Sequence, residues 1–351
     1  MVLSKKKIIS ILKRFPSVFA VVNVIRNRNN EEYLSLVNGL DNNPNVALLY
    51  PKKDDLYTGK PVCIIQAGTK NDGFFACVRW ALDGIYFCDQ LGLIPVVRFS
   101  KDSIYKDNIF PDDINVFNYY FSEVSDINYI EIDKYPKVIY HPRNTLMAEN
   151  MNGGIVYNVT PEYIETMAHV MEKYLHFNEN VTDSIERHID KIGIDDSVLG
   201  IHIRGTDYRK KYRNHPVFIP SEDYYHEIDM LLEKKFFSKI YLATDDLNIL
   251  QEFLERYGNE QIIYSKDTKR SSGEEGVHTS KIQNGKTPYY IGLEVIQDMC
   301  ALSMCGGIIS GLSQVAMIAR IYAASRNHKY VYDTVLNKGT NKSGRMFIRS
   351  K

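Results

Sequence analysis

Hydrophobic positions along the chain switch repeatedly between strand and helix spacing. From residue 62 the short run VCIIQ is apolar and β-rich, and a loop, AGTKNDG, follows it. The stretch FFACVRWALDGIYFCDQLG then has helical spacing, Gly92 ends it, and IPVVRF predicts the next strand. Strand, glycine loop, helix, strand is a βαβ unit, which builds a parallel sheet. Residues 101–150 are rich in Tyr, Asn and Asp and carry no clear period. Residues 160–192 predict two helices, PEYIETMAHVMEKYL and a second through IERHIDKI. Near residue 193 the pattern restarts. SVLGIHIR predicts a strand, and SEDYYHEIDMLLEKK a helix with Ser221 as its N-cap. KIYLATDD, QIIYS and GGIIS predict further strands. Between and after them come the helices LNILQEFLERYG, closed by Gly258, then IGLEVIQDMCALSMC and GLSQVAMIARIYAAS.

The alternation predicts an α/β chain of two Rossmann-like domains facing each other. The expected division is an N-terminal domain over 1–193, a second over 194–335 and a tail over 336–351. The 351 residues suffice for two medium domains. In such sheets ligands bind beyond the C-terminal ends of the strands, so residues directly after strands are the informative ones.

Charge narrows the ligand. Lys+Arg and Asp+Glu both total 43. That balance argues against nucleic acid as a partner and leaves any anionic ligand to a local cluster. The five cysteines are odd in number and match no zinc spacing. They read as reduced thiols, which points to the cytoplasm and makes the sequons at Asn158, Asn180 and Asn341 chance matches. No apolar run is long enough to span a bilayer. Lys5, Lys6 and Lys7 precede an amphipathic stretch, interrupted by Lys13, Arg14 and Pro16. Residues 5–25 therefore read either as a basic helix resting on an anionic inner-membrane face or as an ordinary surface helix.

The strongest chemical signal is His202-Ile203-Arg204-Gly205-Thr206-Asp207-Tyr208, at a strand's end. Alternation puts His202 and Arg204 on one face. An arginine at a strand mouth can grip a diphosphate with its fork, and a charge inside an apolar strand needs a partner. The basic run Arg209, Lys210, Lys211 and Arg213 reads equally as a solvated loop. Asp245 and Asp246 after the strand IYL invite a metal reading; capping by one acid and an orienting role for the other is the plainer one. Asp298 lies on a helix, and the loop from Ser310 to Ser313 opens another helix, where backbone N–H groups can cradle an anion. The loop Gly68 to Gly73 could admit a ligand close to the backbone.

Together these pieces resemble the α1,6-fucosyltransferase family, from about Val198 to Ala324. HIRGTDY resembles its His-x-Arg-Arg-Thr-Asp motif, FIPSEDYY its Phe-His-Pro-x-Glu-Glu-Tyr, IYLATDD its second motif, and DMCALSMCGGIISGLSQV its third. The resemblance implies a GT-B-like fold, GDP-fucose as donor, inversion at the anomeric carbon, and neither metal nor cofactor. It implies that Arg204 binds the β-phosphate and that His202 lies beside the diphosphate or ribose. Asp207 would orient Arg204 or lie near the reacting sugar. Asp298 would read guanine through N1–H and the amine, and Gly205, Thr206, Asp245, Asp246, Ser310 and Ser313 would line the same site. The family's second arginine is Gly205 here, so phosphate binding could shift to Arg209 or Lys210, or the donor could differ. The base that takes the acceptor proton is open among Asp207, His215, Asp72 and Asp83. The expected partners are a nucleotide-sugar donor and a carbohydrate acceptor, glycan or lipid-linked. Two other readings compete: a transferase for GDP-mannose or a UDP-sugar, motivated by Gly205, and a non-catalytic nucleotide- or glycan-binding relative, motivated by the unplaced base. The tyrosines Tyr105, Tyr119, Tyr120 and Tyr129 could stack on sugar rings or form a core.

Overall fold

In this computed structural model the described residues are 60–127 (except 71), 138–140, 159–271 (except 214) and 287–344, with Ile25 and Ile132 as isolated positions. The chain forms two parallel sheets. In the first, β1 (Val62–Ala67) lies between β2 (Ile94–Phe99) and β3 (Val138–Tyr140). Helix α1 (Phe74–Leu91) makes the crossover from β1 to β2 and ends at Gly92, whose φ of 66° is left-handed. Helices α2 (Pro161–Tyr174) and α3 (Glu179–Ile192) lead to the second sheet, each capped by a side chain, Thr160 and Asn178 respectively.

The second sheet has strand order β6-β5-β4-β7-β8, all parallel. Its strands are β4 (Val198–Ile203), β5 (Lys239–Thr244), β6 (Ile262–Ile263), β7 (Gly307–Gly311) and β8 (Tyr332–Leu336). Between them run α4 (Glu222–Glu233), α5 (Leu247–Tyr257), α6 (Pro288–Met304) and α7 (Gln314–Ser325). One face of the sheet, carrying Leu199, Ile201, Ile203, Ile240, Leu242 and Ile309, packs with apolar residues of α4 and α5. The other face, with Val198, Tyr241, Ala243 and Ile308, joins α6, α7 and the residues around the first sheet in one larger cluster. Helix α7 packs on α2 and α1 as well as on α6.

A seam of aromatic residues joins the region after β2 to the start of α6. Tyr120 donates to the Tyr289 carbonyl at 3.1 Å and stacks on the Tyr289 ring at 5.3 Å. The Tyr289 amide donates to Asp107 Oδ2 at 2.9 Å. Gly292 is required there, because a Cβ would lie 2.3 Å from the Tyr120 hydroxyl oxygen.

The predicted strands and helices are present, with three differences. The short strands β3 and β8 were not visible in the pattern: β3 has three residues, and β8 is an edge strand with no buried position. Ser221 does not cap α4; its own backbone is helical and its hydroxyl donates to Glu252 at 2.6 Å. Tyr105, Tyr119 and Tyr120 are core residues at 2% exposure or less, unavailable for stacking on sugar. Tyr129 and residues 5–24 lie outside the described residues. Among the described residues no helix is long and apolar enough to cross a membrane. All five cysteines are buried and none forms a disulfide. Asn341 donates through Nδ2 to the carbonyls of Tyr212, His215 and Pro216, which fixes the loop before α4.

Candidate active site

Parallel register brings the three predicted loops side by side. His202 pairs with Ala243 on β5 and with Ser310 on β7, so the residues after β4, β5 and β7 emerge at one edge of the sheet. Arg204 is the centre of that edge. Its Nε donates to Asp207 Oδ1 at 2.9 Å, and its Nη1 lies 2.8 Å from Asp245 Oδ2. Asp245 also accepts from the Gly205 amide at 2.9 Å and the Thr206 hydroxyl at 2.6 Å. One carboxylate thus shapes the turn and aims the guanidinium. Burial works against the charge of Arg204, but Asp207 and Asp245 outweigh it and raise its pKa.

The two adjacent acids divide their roles as the capping argument predicted. Asp246 accepts from the Asn248 amide at 2.9 Å, capping α5, and binds Arg209 through Nε at 3.1 Å and Nη2 at 3.0 Å. The Arg209 guanidinium also lies over the Phe218 ring at 4.2 Å. Arg209 is therefore a staple between its turn and the start of α5. Lys210 closes the same 3-10 turn, Thr206–Lys210. Gly205 has no room for a side chain, since a Cβ would fall 2.4 Å from Asp246 Cβ.

Ser313 caps α7 through the Ala316 amide at 3.1 Å, and its hydroxyl lies 3.3 Å from His202 Nδ1. Burial pushes His202 down to about 4, with Arg204 and Arg320 adding to the shift and Asp245 opposing it. The imidazole is neutral at pH 7. Ser310 is fully buried and accepts from Arg320 Nη1 at 2.9 Å, so it braces the loop from within. Arg320 is itself paired with Asp333 at 2.7 Å.

A pocket opens at this edge. Its lining combines the polar residues His202, Arg204 and Ser313 with the apolar Val217, Ile219 and Leu312 and the tyrosines Tyr208 and Tyr224. Tyr208 donates to the Leu312 carbonyl at 3.2 Å, joining the first motif to the third. Tyr208 stands in the predicted motif but had no role from sequence. Arg320 was missed, although a charge within the apolar run VAMIARIYAA follows the logic that singled out Arg204.

Several predicted residues lie elsewhere. Asp298 is buried between α6 and β5, where its Oδ1 accepts from Tyr241 at 2.7 Å and Ser265 at 2.9 Å. Burial raises its pKa. It does not line the Arg204 pocket. His215 does not line it either; its ring centroid is 5.6 Å from that of Tyr212. Asp83 is held in a buried pair with Arg79 at 2.6 Å and accepts from Tyr163 at 3.2 Å, which makes it structural. Asp72 accepts from the Thr69 amide at 2.7 Å within its own loop. Gly68 has φ of 82°, and Gly73 is the N-cap residue of α1. The first amide of α1, Phe74, donates to Tyr105 at 2.8 Å. Neither glycine lines the Arg204 pocket.

Residues 162–318 match the family model described as alpha-(1,6)-fucosyltransferase N- and catalytic domains. The matched stretch starts in α2, upstream of the motifs, and includes the Arg204 edge. Solved structures that this chain matches include fucosyltransferase NodZ from Bradyrhizobium (14% identity, 75% of this chain and 93% of that chain, TM-score 0.45). Others are an Arabidopsis thaliana FUT1 mutant in complex with GDP (10%, 83% and 73%, 0.45) and POFUT1 in complex with GDP-fucose (10%, 83% and 98%, 0.39). At these identities and scores the solved structures carry no assignment. The family-model match covers residues 162–318, which hold all three motifs and the arginine they surround, and over that stretch this chain is similar to the alpha-(1,6)-fucosyltransferase catalytic domain.

Proposed function

We propose that the protein transfers fucose from GDP-fucose to a carbohydrate hydroxyl, with inversion at the anomeric carbon and without a metal ion. The observation that carries this is Arg204, held at the strand edge by two carboxylates and lining a pocket with His202 and Ser313. In the reaction the acceptor hydroxyl oxygen attacks fucose C1, the bond from C1 to the β-phosphate oxygen breaks, GDP leaves with that electron pair, and the hydroxyl proton passes to solvent. A preorganised guanidinium beside the leaving phosphate stabilises the charge that develops there. Asp245 and Asp246 are already committed to Arg204 and Arg209, which supports a cation supplied by the protein in place of a metal. His202, neutral and hydrogen-bonded to Ser313, fits a binding role beside the ribose or diphosphate better than a proton-accepting one. Asp207 is the partner of Arg204 and orients it. The division into an acceptor-side part over 1–193 and a donor-side part over 194–335 belongs to this proposal, as does a cytoplasmic site of action on a glycan or lipid-linked acceptor.

Calorimetric titration in EDTA tests the donor site. GDP is expected to bind the wild type without metal, to lose at least tenfold in affinity with Arg204→Ala, and to outcompete UDP. Preference for GDP-fucose over GDP-mannose would identify the sugar. Equal binding of UDP, or affinity that survives Arg204→Ala, would remove the basis of the proposal. GDP binding with neither transfer nor hydrolysis would favour a non-catalytic relative instead.

A further inference from the structure

The segment after β6 carries an arginine, Arg270, with two of its three donor atoms unmatched among the described residues. Arg270 donates through Nη1 to the carbonyls of Ser265 at 3.0 Å and Thr268 at 3.2 Å, and its guanidinium lies 5.3 Å from the Tyr264 ring centroid. These contacts fix the plane of the group. Its other two donor atoms, Nε and Nη2, are buried and have no hydrogen-bond partner among the described residues. They form the parallel edge with which arginine grips two neighbouring acceptors. A buried donor pair without acceptors is costly, and this edge fits a ligand that offers two acceptors side by side.

The surroundings narrow what that pair can be. Ser265, whose carbonyl accepts from Arg270, donates its hydroxyl to Asp298. Arg270 and Asp298 are thus tied to the same residue, and the guanidinium acts on the Asp298 carboxyl electrostatically. Glu294 is close by, accepting from the Lys269 amide at 3.1 Å. The neighbourhood therefore offers carboxylate acceptors as well as the arginine's donors, which suits a ligand with both donors and acceptors. A planar group with two acceptors on one edge and donors on the next satisfies both residues. Guanine has this arrangement, with N7 and O6 beside N1–H and the exocyclic amine; adenine offers a donor where O6 would be. The segment is also anchored to the donor site. The Ser271 amide donates to the Asp245 carbonyl at 2.9 Å, and Asp245 holds Arg204.

We propose that Arg270 is a specificity-determining residue that reads the N7/O6 edge of the donor's guanine, next to Asp298. This rests on the GDP-donor reading given earlier. It gives Asp298 its proposed partner in base recognition although that carboxylate lies outside the Arg204 pocket, and it assigns the two edges of one base to two residues.

The test uses altered nucleotides on the full-length protein. 7-Deaza-GDP replaces N7 by C–H, and inosine diphosphate lacks the exocyclic amine. Wild type is expected to bind 7-deaza-GDP more weakly than GDP, on the order of tenfold. In Arg270→Ala the two should bind alike within about twofold, while the penalty for inosine diphosphate persists. Without nucleotide, Arg270→Ala should melt lower than wild type, because the Nη1 bonds to the Ser265 and Thr268 carbonyls are lost. Equal binding of GDP and 7-deaza-GDP to the wild type, or an N7 penalty unchanged in Arg270→Ala, overturns the assignment of Arg270 alone. Should the variant unfold, the wild-type comparison of GDP with 7-deaza-GDP decides by itself. Failure of the wild type to bind GDP would instead bring down the donor reading itself.

Discussion

Arg204 keeps its charge at a mostly buried strand edge because Asp207 and Asp245 share it. Removing Asp245 strands three donors at once: the Arg204 guanidinium, the Gly205 amide and the Thr206 hydroxyl. Asp245→Ala should therefore cost about 3 kcal/mol or more in urea denaturation, and Asp245→Asn less, because an amide oxygen still accepts. His202 gives a pH signature. Its folded pKa of about 4 is below the ordinary value of 6.5. Between those limits the unfolded chain binds the extra proton, so stability is complete above pH 6.5 and falls as pH drops towards 4, by on the order of 3 kcal/mol in total. Asp298, raised by burial, acts in the opposite sense, so the comparison to make is wild type against His202→Gln. Urea midpoints at pH 7 and pH 4.5 should differ less in the variant. An equal pH response would show that His202 does not titrate as its burial demands.

At the scale of an element, the turn after β4 is a packed object. Asp246 caps α5, binds Arg209 and closes the space over Gly205. Gly205→Ala should lower the melting temperature, costing roughly 1–3 kcal/mol, because the new Cβ meets Asp246 Cβ and not merely a movable carboxylate. Asp246→Ala should not rescue it, since it retains that Cβ. The same crowding gives a physical reason for glycine at a place where the resembling motif carries a second arginine. Arg209→Ala should leave GDP affinity within about threefold and destabilise the turn instead, as expected of a staple. A large loss of affinity with unchanged melting would return Arg209 to the phosphate site.

Across the whole molecule, α6 and α7 share one apolar cluster with α1, α2 and the first sheet. The Tyr120–Tyr289 seam adds a polar tie between the same parts. Heating should give one cooperative transition by calorimetry, and Gly292→Ala should lower it by several degrees because its Cβ would strike Tyr120. Two well-separated transitions would show that the halves are stabilised independently.

Much of this arrangement was legible in the sequence because it follows from local periodicity. The alternation of β and α spacing gave the parallel sheets, Gly92 and Gly258 marked helix ends, and the isolated charge in VLGIHIR marked Arg204. The split between Asp245 and Asp246 was also readable, because capping is a local event. Other features depend on residues distant in the chain. Ser221 has the residue type of a cap, but Glu252 takes its hydroxyl. The tyrosines of 101–120 look like a sugar platform, but α1 and α6 bury them. Asp298 and Arg270 become neighbours only when the segment after β6 folds against α6, and Gly205 becomes obligatory only when Asp246 arrives beside it. The sequence by itself determined the elements and the chemistry at their ends, because backbone propensity and burial period act over a few residues. Only the tertiary structure decided which of those groups are committed to one another and which remain open to a ligand, because each commitment is a contact across tens of residues of chain.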